Sequence, residues 1–346
     1  MAGMTTSAGV TLLMQHPLSP EEEDAFQRFC ARSVDLTAED TKRGREIRDA
    51  VIRLIEAQIG PRGLLIIRDE GFGAGSFGRK TQCQPLDDVD IYIVLNSGTV
   101  VMKQGVVTWY LEGNTPGPLE TDLSLREEGW ISAHQVLARF VTQLQSIVRL
   151  SSAADEIGPS DKGKSAFLRF GDLNVDVTPV MYAKNVRSEY GSDRYFMPQG
   201  HNMVWWKATN PKEDQRRLTE LNQKHNGLVL PAVRMMKWWN TNRNQGRLKG
   251  IHLEVMVEHA FEQWRVPNLA QAVHACLFSL RDQVRAGCSD PTGLGPALDT
   301  NLDYKDRSDS FLALCIGLHA ADDAVLRLLQ GDTAGAIAAW RRIFPL

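Results

Sequence analysis

GAGSFGRKTQCQPLDDVDIYIVLN, residues 73–96, carries three signals in close order. It opens on a small-residue turn containing Gly75 and Ser76, then reaches Asp88-Val89-Asp90. It closes on an apolar run that predicts a strand over 88–95. Alternate residues of a strand share a face, so Asp88 and Asp90 point one way while Val89, Ile91 and Ile93 point the other. Two carboxylates side by side repel, and each raises the other's pKa unless a cation stands between them. A divalent ion that prefers oxygen is the natural cation. Alone the pattern is weak, because about one D-x-D arises by chance in a chain this long and acids are common in turns before strands.

Three neighbours strengthen it. Gly75 lets backbone N–H groups approach an anion, and the Ser76 hydroxyl adds a donor. The turn itself is neither the phosphate loop G-x-x-x-x-G-K-[ST] nor a G-x-G-x-x-G fingerprint. A second acid-bearing strand follows in LNVDVTPV (173–180), where Asn174, Asp176 and Thr178 share a face and Leu173, Val175 and Val177 share the core face. An Asp in mid-sheet is costly without a partner. Laid beside the Asp88 strand, Asp176 completes a three-carboxylate cluster. Finally, Lys237 stands in the apolar, aromatic VRMMKWWN (233–240), where it reads equally as a snorkelling side chain or as a phosphate cation.

Around these segments, Ser19-Pro20-Glu21-Glu22-Glu23 predicts a helix running to Val34, and Thr37 starts another that ends at Gly60-Pro61-Arg62-Gly63. LLIIRDEGF (64–72) reads as a strand, with a short helix around 78–82. GVVTWYL (105–111) reads as a short strand, 132–150 as a helix, and 165–183 as two strands joined at Gly171-Asp172. Beyond about residue 205 all segments read as helices: 213–224, 228–241, 252–263, 269–285, 308–330 and 333–342. The fold class is α+β: a mixed sheet flanked by helices over 19–204, packed on a helical domain over 205–346, after a flexible N-terminus at 1–18.

Bulk composition narrows the function classes. The 346 residues are 43% hydrophobic and 23% charged, ordinary for a globular chain with a sizeable core. A net charge of −3 argues against a broad nucleic-acid surface. Five scattered cysteines without a C-x-x-C pair read as reduced thiols rather than a disulfide frame or zinc site. The N-terminus lacks the charged start and apolar stretch of a signal peptide, and no window is long enough for a membrane span, which together predict a soluble cytoplasmic protein.

Gly-Ser, then D-x-D on a strand, then one Asp on a later strand, resembles the DNA polymerase beta-like nucleotidyltransferase superfamily. Within it, GSFGRKT, DDVDIYIVL, NVDVTPV, YFMPQG, WWKATNP, KWWN and HLEVMVEHA are similar to the bacterial cGAS/DncV-like nucleotidyltransferases, the CD-NTases. The likeness runs from about residue 40 to the C-terminal helices. It implies a polymerase beta-like core whose active site lies in the cleft beside the helical domain. It also implies a cyclic oligonucleotide synthase that works on nucleoside triphosphates such as ATP and GTP. The most expected product is a cyclic dinucleotide second messenger, which switches on a downstream effector in anti-phage (CBASS) defence.

Asp88, Asp90 and Asp176 would hold two Mg²⁺ ions, with Mn²⁺ as a substitute; Gly75, Ser76 and Lys237 would hold the triphosphate. Thr178, Tyr182, Tyr195, Trp205 and Trp206 are candidates for base contacts, with packing between the domains an equal reading for the aromatics. The family's phosphate-touching serine before HLE is replaced by Gly250, and the animal enzyme's zinc insertion is missing, so no long nucleic-acid activator is expected. An ancillary regulator acting on the C-terminus, as for some family members, stays open. Two rival readings keep the same site: a synthase of linear oligonucleotides or transferase to another acceptor, and a silent nucleotide-binding regulator.

Overall fold

Capping side chains set where the helices begin. The Ser19 hydroxyl accepts the Glu22 N–H at 3.1 Å, with Pro20 and three acids in the first turn, and opens α1 (Pro20–Ser33). Thr37 caps α2 (Ala38–Gln58) in the same way through the Asp40 N–H. The computed structural model describes residues 19–59, 64, 66–96, 100–104, 109–113, 123–183 and 194–346. The expected flexible segment at 1–18, the helix stop at 60–63 and residues 105–108 of the expected GVVTWYL strand lie outside these.

The sheet half continues with β1 (Phe72–Gly73), α3 (Gly75–Gly78), β2 (Asp88–Leu95), β3 (Val100–Gln104), β4 (Trp109–Gly113), β5 (Arg126–Glu127) and β6 (Trp130–Ile131). Then come α4 (Ala133–Gln145), α5 (Val148–Ala153), β7 (Glu156–Pro159), β8 (Ala166–Phe170), β9 (Leu173–Ala183), β10 (Arg194–Pro198) and β11 (Trp206–Thr209). Six helices complete the chain: α6 (Pro211–Lys224), α7 (Val229–Arg243), α8 (Gly250–Gln263), α9 (Leu269–Ala286), α10 (Tyr304–Leu329) and α11 (Thr333–Trp340). The α+β architecture read from the sequence is the one observed.

Among the described residues nine strands form one sheet, ordered β1-β2-β9-β10-β11-β4-β3, with β8 pairing the first half of β9 and β7 pairing β8. β2 and β9 run parallel, in a register that sets Asp88 beside Asn174, Asp90 beside Asp176 and Tyr92 beside Thr178. One face of these strands, Val89, Ile91, Ile93, Leu173, Val175 and Val177, is buried under α2 and α4. Each such side chain contributes roughly 1.5–3 kcal/mol by leaving water. That burial leaves the register no freedom, since a one-residue slip would expose the whole apolar set.

A second core joins α7 to α11. α1 packs there rather than on the sheet: Phe26 meets Trp340 edge-on at 5.2 Å and Phe29 meets Trp238 at 5.0 Å. The helical half therefore begins its packing with α1, the first of the described helices, although its sequence starts near residue 205.

Three local expectations are corrected. The strand expected over 64–72 is observed only at its end, in Phe72 of β1; among the described residues 66–71 there is only the bridge between Ile66 and Leu95, and the segment turns at Asp69 (φ 61°), whose N–H and that of Gly71 donate to the Glu56 carboxylate. The short helix starts at Gly75, not Gly78. The helix expected over 132–150 breaks at Ser146–Ile147 into α4 and α5. All five cysteines are free thiols, and among the described residues no helix is long and apolar enough to cross a membrane.

Candidate active site

Strand alternation and parallel pairing bring Asp88, Asp90 and Asp176 to one spot. One carboxylate oxygen from each lies within 4.8 Å of the others. No basic side chain among the described residues stands in ion-pair contact with any of the three. Burial pushes the Asp88 carboxyl up to about 7, and its acidic neighbours Asp90 and Asp176 add to the rise. Burial and Asp176 raise Asp90 to about 6, and burial raises Asp176 as well. Three half-buried carboxylates with this charge deficit and all-oxygen donors are what a hard divalent cation requires, so the residues fit such an ion.

The Gly75–Ser76 turn stands against β2. The Ala74 N–H donates to the Asp90 carbonyl at 2.9 Å and fixes the entry to α3. Gly75 has φ +59°, and a Cβ placed on it would fall on the Asp90 carboxylate, so only glycine serves there. The Ser76 hydroxyl donates to Gln82 Oε1, and Gln82 in turn donates to Asp87 at 3.0 Å. Gln82, which sequence reasoning passed over, thus orients the serine.

A cavity of about 500 Å³ opens around the carboxylates. Asn174 and Thr178 line it from β9, Tyr92 from β2, Met197 from β10, and Lys162 and Lys164 from the β7–β8 hairpin. Thr178 is buried and faces the cavity, as the alternation of β9 requires. The Ser165 hydroxyl bonds Asp176 and partly offsets its rise in pKa.

Other candidates lie elsewhere. Tyr182 and Tyr195 pack on each other at 5.2 Å, and Phe72 packs on Tyr195 at 5.2 Å, forming an apolar patch farther along the same sheet face. Trp205 is half-buried at the entry to β11. Trp206 is corrected: it is fully buried in the sheet core, its N–H donates to the Ile131 carbonyl at 2.9 Å, and it offers no stacking face. Alternation along β11 sends it to the side away from solvent.

Lys237 does not stand free. Its ammonium is 2.6 Å from Glu254 and donates to the Thr81 carbonyl at 3.0 Å and hydroxyl at 3.1 Å. Arg79 grips the same carboxylate at 2.7 and 3.2 Å. The Glu254 side chain is 1% exposed. Burial alone would raise its pKa, but Arg79 and Lys237 outweigh that and hold it low. This brace ties the loop after α3 to α7 and α8. A sequence signal for it existed: Glu254 in the apolar run HLEVMV needs a cation once buried.

No protein-family model matches the chain. A Bacillus cereus (strain VD146) protein named probable cyclic nucleotide synthase is 26% identical over 325 residues, covering 92% of this chain and 95% of its own length. The cyclic AMP-AMP-AMP synthase of an Acinetobacter strain is 29% identical over 111 residues, 31% of this chain and 30% of its own. Among solved structures, the E. coli MS115-1 CdnC superposes with a TM-score of 0.65 in its HORMA-deltaN complex and 0.64 with ATP. Each is 14% identical, covering 93% and 94% of this chain and 96% and 98% of CdnC, so the likeness to CdnC is one of fold.

Proposed function

We propose that the chain is a nucleotidyltransferase of the CD-NTase type that condenses nucleoside triphosphates into a cyclic oligonucleotide, most simply a cyclic dinucleotide, with release of pyrophosphate. One observation carries the reading: Asp88, Asp90 and Asp176 converge within 4.8 Å, with no ion pair to a described residue, beside the Gly75–Ser76 turn. A chain that needed no ion would have no reason to keep three carboxylates in mutual repulsion.

Each side chain then has a task. Gly75 and Ser76 bind the donor triphosphate, with the Ser76 hydroxyl moving from Gln82 to a phosphate oxygen. Asp88, Asp90 and Asp176 would hold two Mg²⁺ ions, which supply the positive charge that lowers the pKa of the attacking ribose hydroxyl and stabilises both the attacking and the leaving oxygens. Ser165 keeps Asp176 oriented toward the cavity. Lys237 reaches the triphosphate by exchanging the Glu254 carboxylate for phosphate. Thr178 meets the acceptor nucleotide from β9. A cyclic product requires a second bond, for which the linear intermediate turns so that its own triphosphate becomes the donor.

The product would act in the cytoplasm as a second messenger in CBASS-type anti-phage defence, passing the signal to an effector. The HORMA-deltaN complex of the fold relative CdnC supports an ancillary regulator as a further partner. Incubation with the four NTPs and Mg²⁺, followed by phosphatase, tests the proposal. A resistant species whose mass fits a cyclic oligonucleotide is expected. A product from which phosphatase strips terminal phosphates, leaving the mass of a linear oligonucleotide, would instead establish the linear synthase, and no product at all with an intact fold would favour the silent regulator.

A further inference from the structure

The β7–β8 hairpin contains GPSDKGKS (158–165), which has the residue order G-x-x-x-x-G-K-S of a phosphate loop. Its backbone does not follow that motif. No helix comes after it; instead the Ser160 N–H donates to the Ser165 carbonyl at 2.9 Å, and the Gly163 N–H to the Ser160 carbonyl at 2.8 Å. The Ser160 hydroxyl accepts the Lys164 and Ser165 N–H groups at 3.4 and 3.3 Å. Gly163 has φ +61°, and a Cβ there would meet the His201 backbone N at 2.5 Å, so the turn is held in one shape. His201 buttresses it from outside through the Asp161 carbonyl at 2.6 Å. Four N–H groups, those of Ser160, Gly163, Lys164 and Ser165, are spent inside the hairpin, and the two lysine ammonium groups are the charge it presents to an anion.

Both lysines line the cavity that holds the carboxylates. Neither forms an ion pair with a described residue, in contrast to Lys237. The charge of Lys162 acts on Asp88, Asp90 and Asp176 alike. Burial lowers the pKa of Lys164, and the neighbouring charges of Lys207, Lys162 and Lys249 lower it further. On the hairpin side of the pocket, two ammonium groups outside any ion pair with a described residue are placed to grip a polyanion.

Position decides which polyanion. α3 is tied to β2, whereas β8 lies on the other side of β9, with Phe167 in register with Asp176. The Ser76 turn and the hairpin therefore flank the carboxylates from opposite sides. A donor triphosphate on the Ser76 side leaves the hairpin side for the second nucleotide. We propose that Lys162 and Lys164 form a phosphate subsite for the acceptor nucleotide, gripping its 5′-polyphosphate while its ribose hydroxyl faces Asp176. This rests on the nucleotidyl-transfer reading above.

Two measurements on the full-length protein separate this subsite from that reading. In the first, inorganic tripolyphosphate is titrated in EDTA, so that no metal ion draws it to the carboxylates. The wild type should bind about tenfold more tightly than the K162A/K164A variant, as loss of charge-assisted contacts implies. Equal affinities would overturn the subsite whatever the catalytic outcome. In the second, formation of the first phosphodiester bond is followed with a nucleoside triphosphate acceptor and with the matching nucleoside. The ratio of the two kcat/KM values should fall about tenfold in K162A/K164A and recover in K162R/K164R. An unchanged ratio, or an equal loss with both acceptors, would show that the lysines only neutralise the acids or support the hairpin. A wild type that binds tripolyphosphate through these lysines but forms no bond would leave the subsite standing and sink the transferase reading.

Discussion

Two sets of acids in this protein meet opposite electrostatic conditions. Glu254 is buried and grips Arg79, Lys237 and Thr81 at distances of 2.6 to 3.2 Å. Asp88, Asp90 and Asp176 are half-buried, crowd within 4.8 Å and form no ion pair with a described residue. The first set is electrostatically complete and its carboxyl is held low; the second is incomplete and its carboxyls are pushed up. A completed cluster fixes the packing of the fold, while an incomplete one is waiting for a charge from outside. The contrast locates function more sharply than acid content would, because Asp and Glu are plentiful throughout the chain.

The contrast can be broken most directly at Asp90. Asp90→Asn should lower turnover more than about 100-fold, a bound set by the losses that follow when a group merely supporting a metal ligand is removed. Its melting temperature in EDTA should match or exceed that of the wild type, because a repulsive charge is gone. Near-normal turnover would remove the carboxylates from the chemistry.

Glu254→Gln should behave in the opposite way. It strands Arg79 and Lys237, whose side chains are 13% and 15% exposed, and should cost about 3–5 kcal/mol, or a melting temperature lower by roughly 10 °C. A change under about 2 °C in thermal unfolding would mean that the brace is not electrostatic. Gly75→Ala comes next. The left-handed backbone and the collision with Asp90 should cost about 1–3 kcal/mol and weaken divalent-ion binding by calorimetry; full retention of both would contradict the close approach.

The smallest effect is a pH dependence in the metal-free protein. Folding raises Asp88 to about 7 and Asp90 to about 6, above the usual carboxylate value, so the folded state binds more protons than the unfolded state between roughly pH 4 and 7. These groups therefore remove stability as pH rises through that window and restore it as pH falls. Melting in EDTA at pH 5 and pH 8 should show the slope, Asp88→Asn should flatten it, and Mg²⁺ should cancel it by supplying the missing charge. A slope identical in Asp88→Asn would place its origin elsewhere.

How far the sequence could be read depended on the range of each interaction. The 88–95 strand, the division of Asp88 and Asp90 from Val89, Ile91 and Ile93, and the inward face of 173–180 follow from a two-residue period. The helix starts at Ser19 and Thr37 were equally legible, since a cap is a contact between residues three apart. The segment 64–72 misled because its apolar run resembles a strand, whereas Glu56 captures its backbone N–H groups from α2. Trp206 misled because alternation tells which residues share a face but not which face meets the core.

The sequence by itself determined the α+β order of elements, the small-residue turn and the presence of acids on two strands, all written in local spacing. Only the tertiary structure decided that Asp90 stands beside Asp176, that Lys237 is held by Glu254 and that the hairpin lysines face the carboxylates. Those outcomes depend on register and on charges brought together from residues 79 to 254. Coulomb attraction acts through space and ignores chain separation, so no short stretch of the chain can encode it alone.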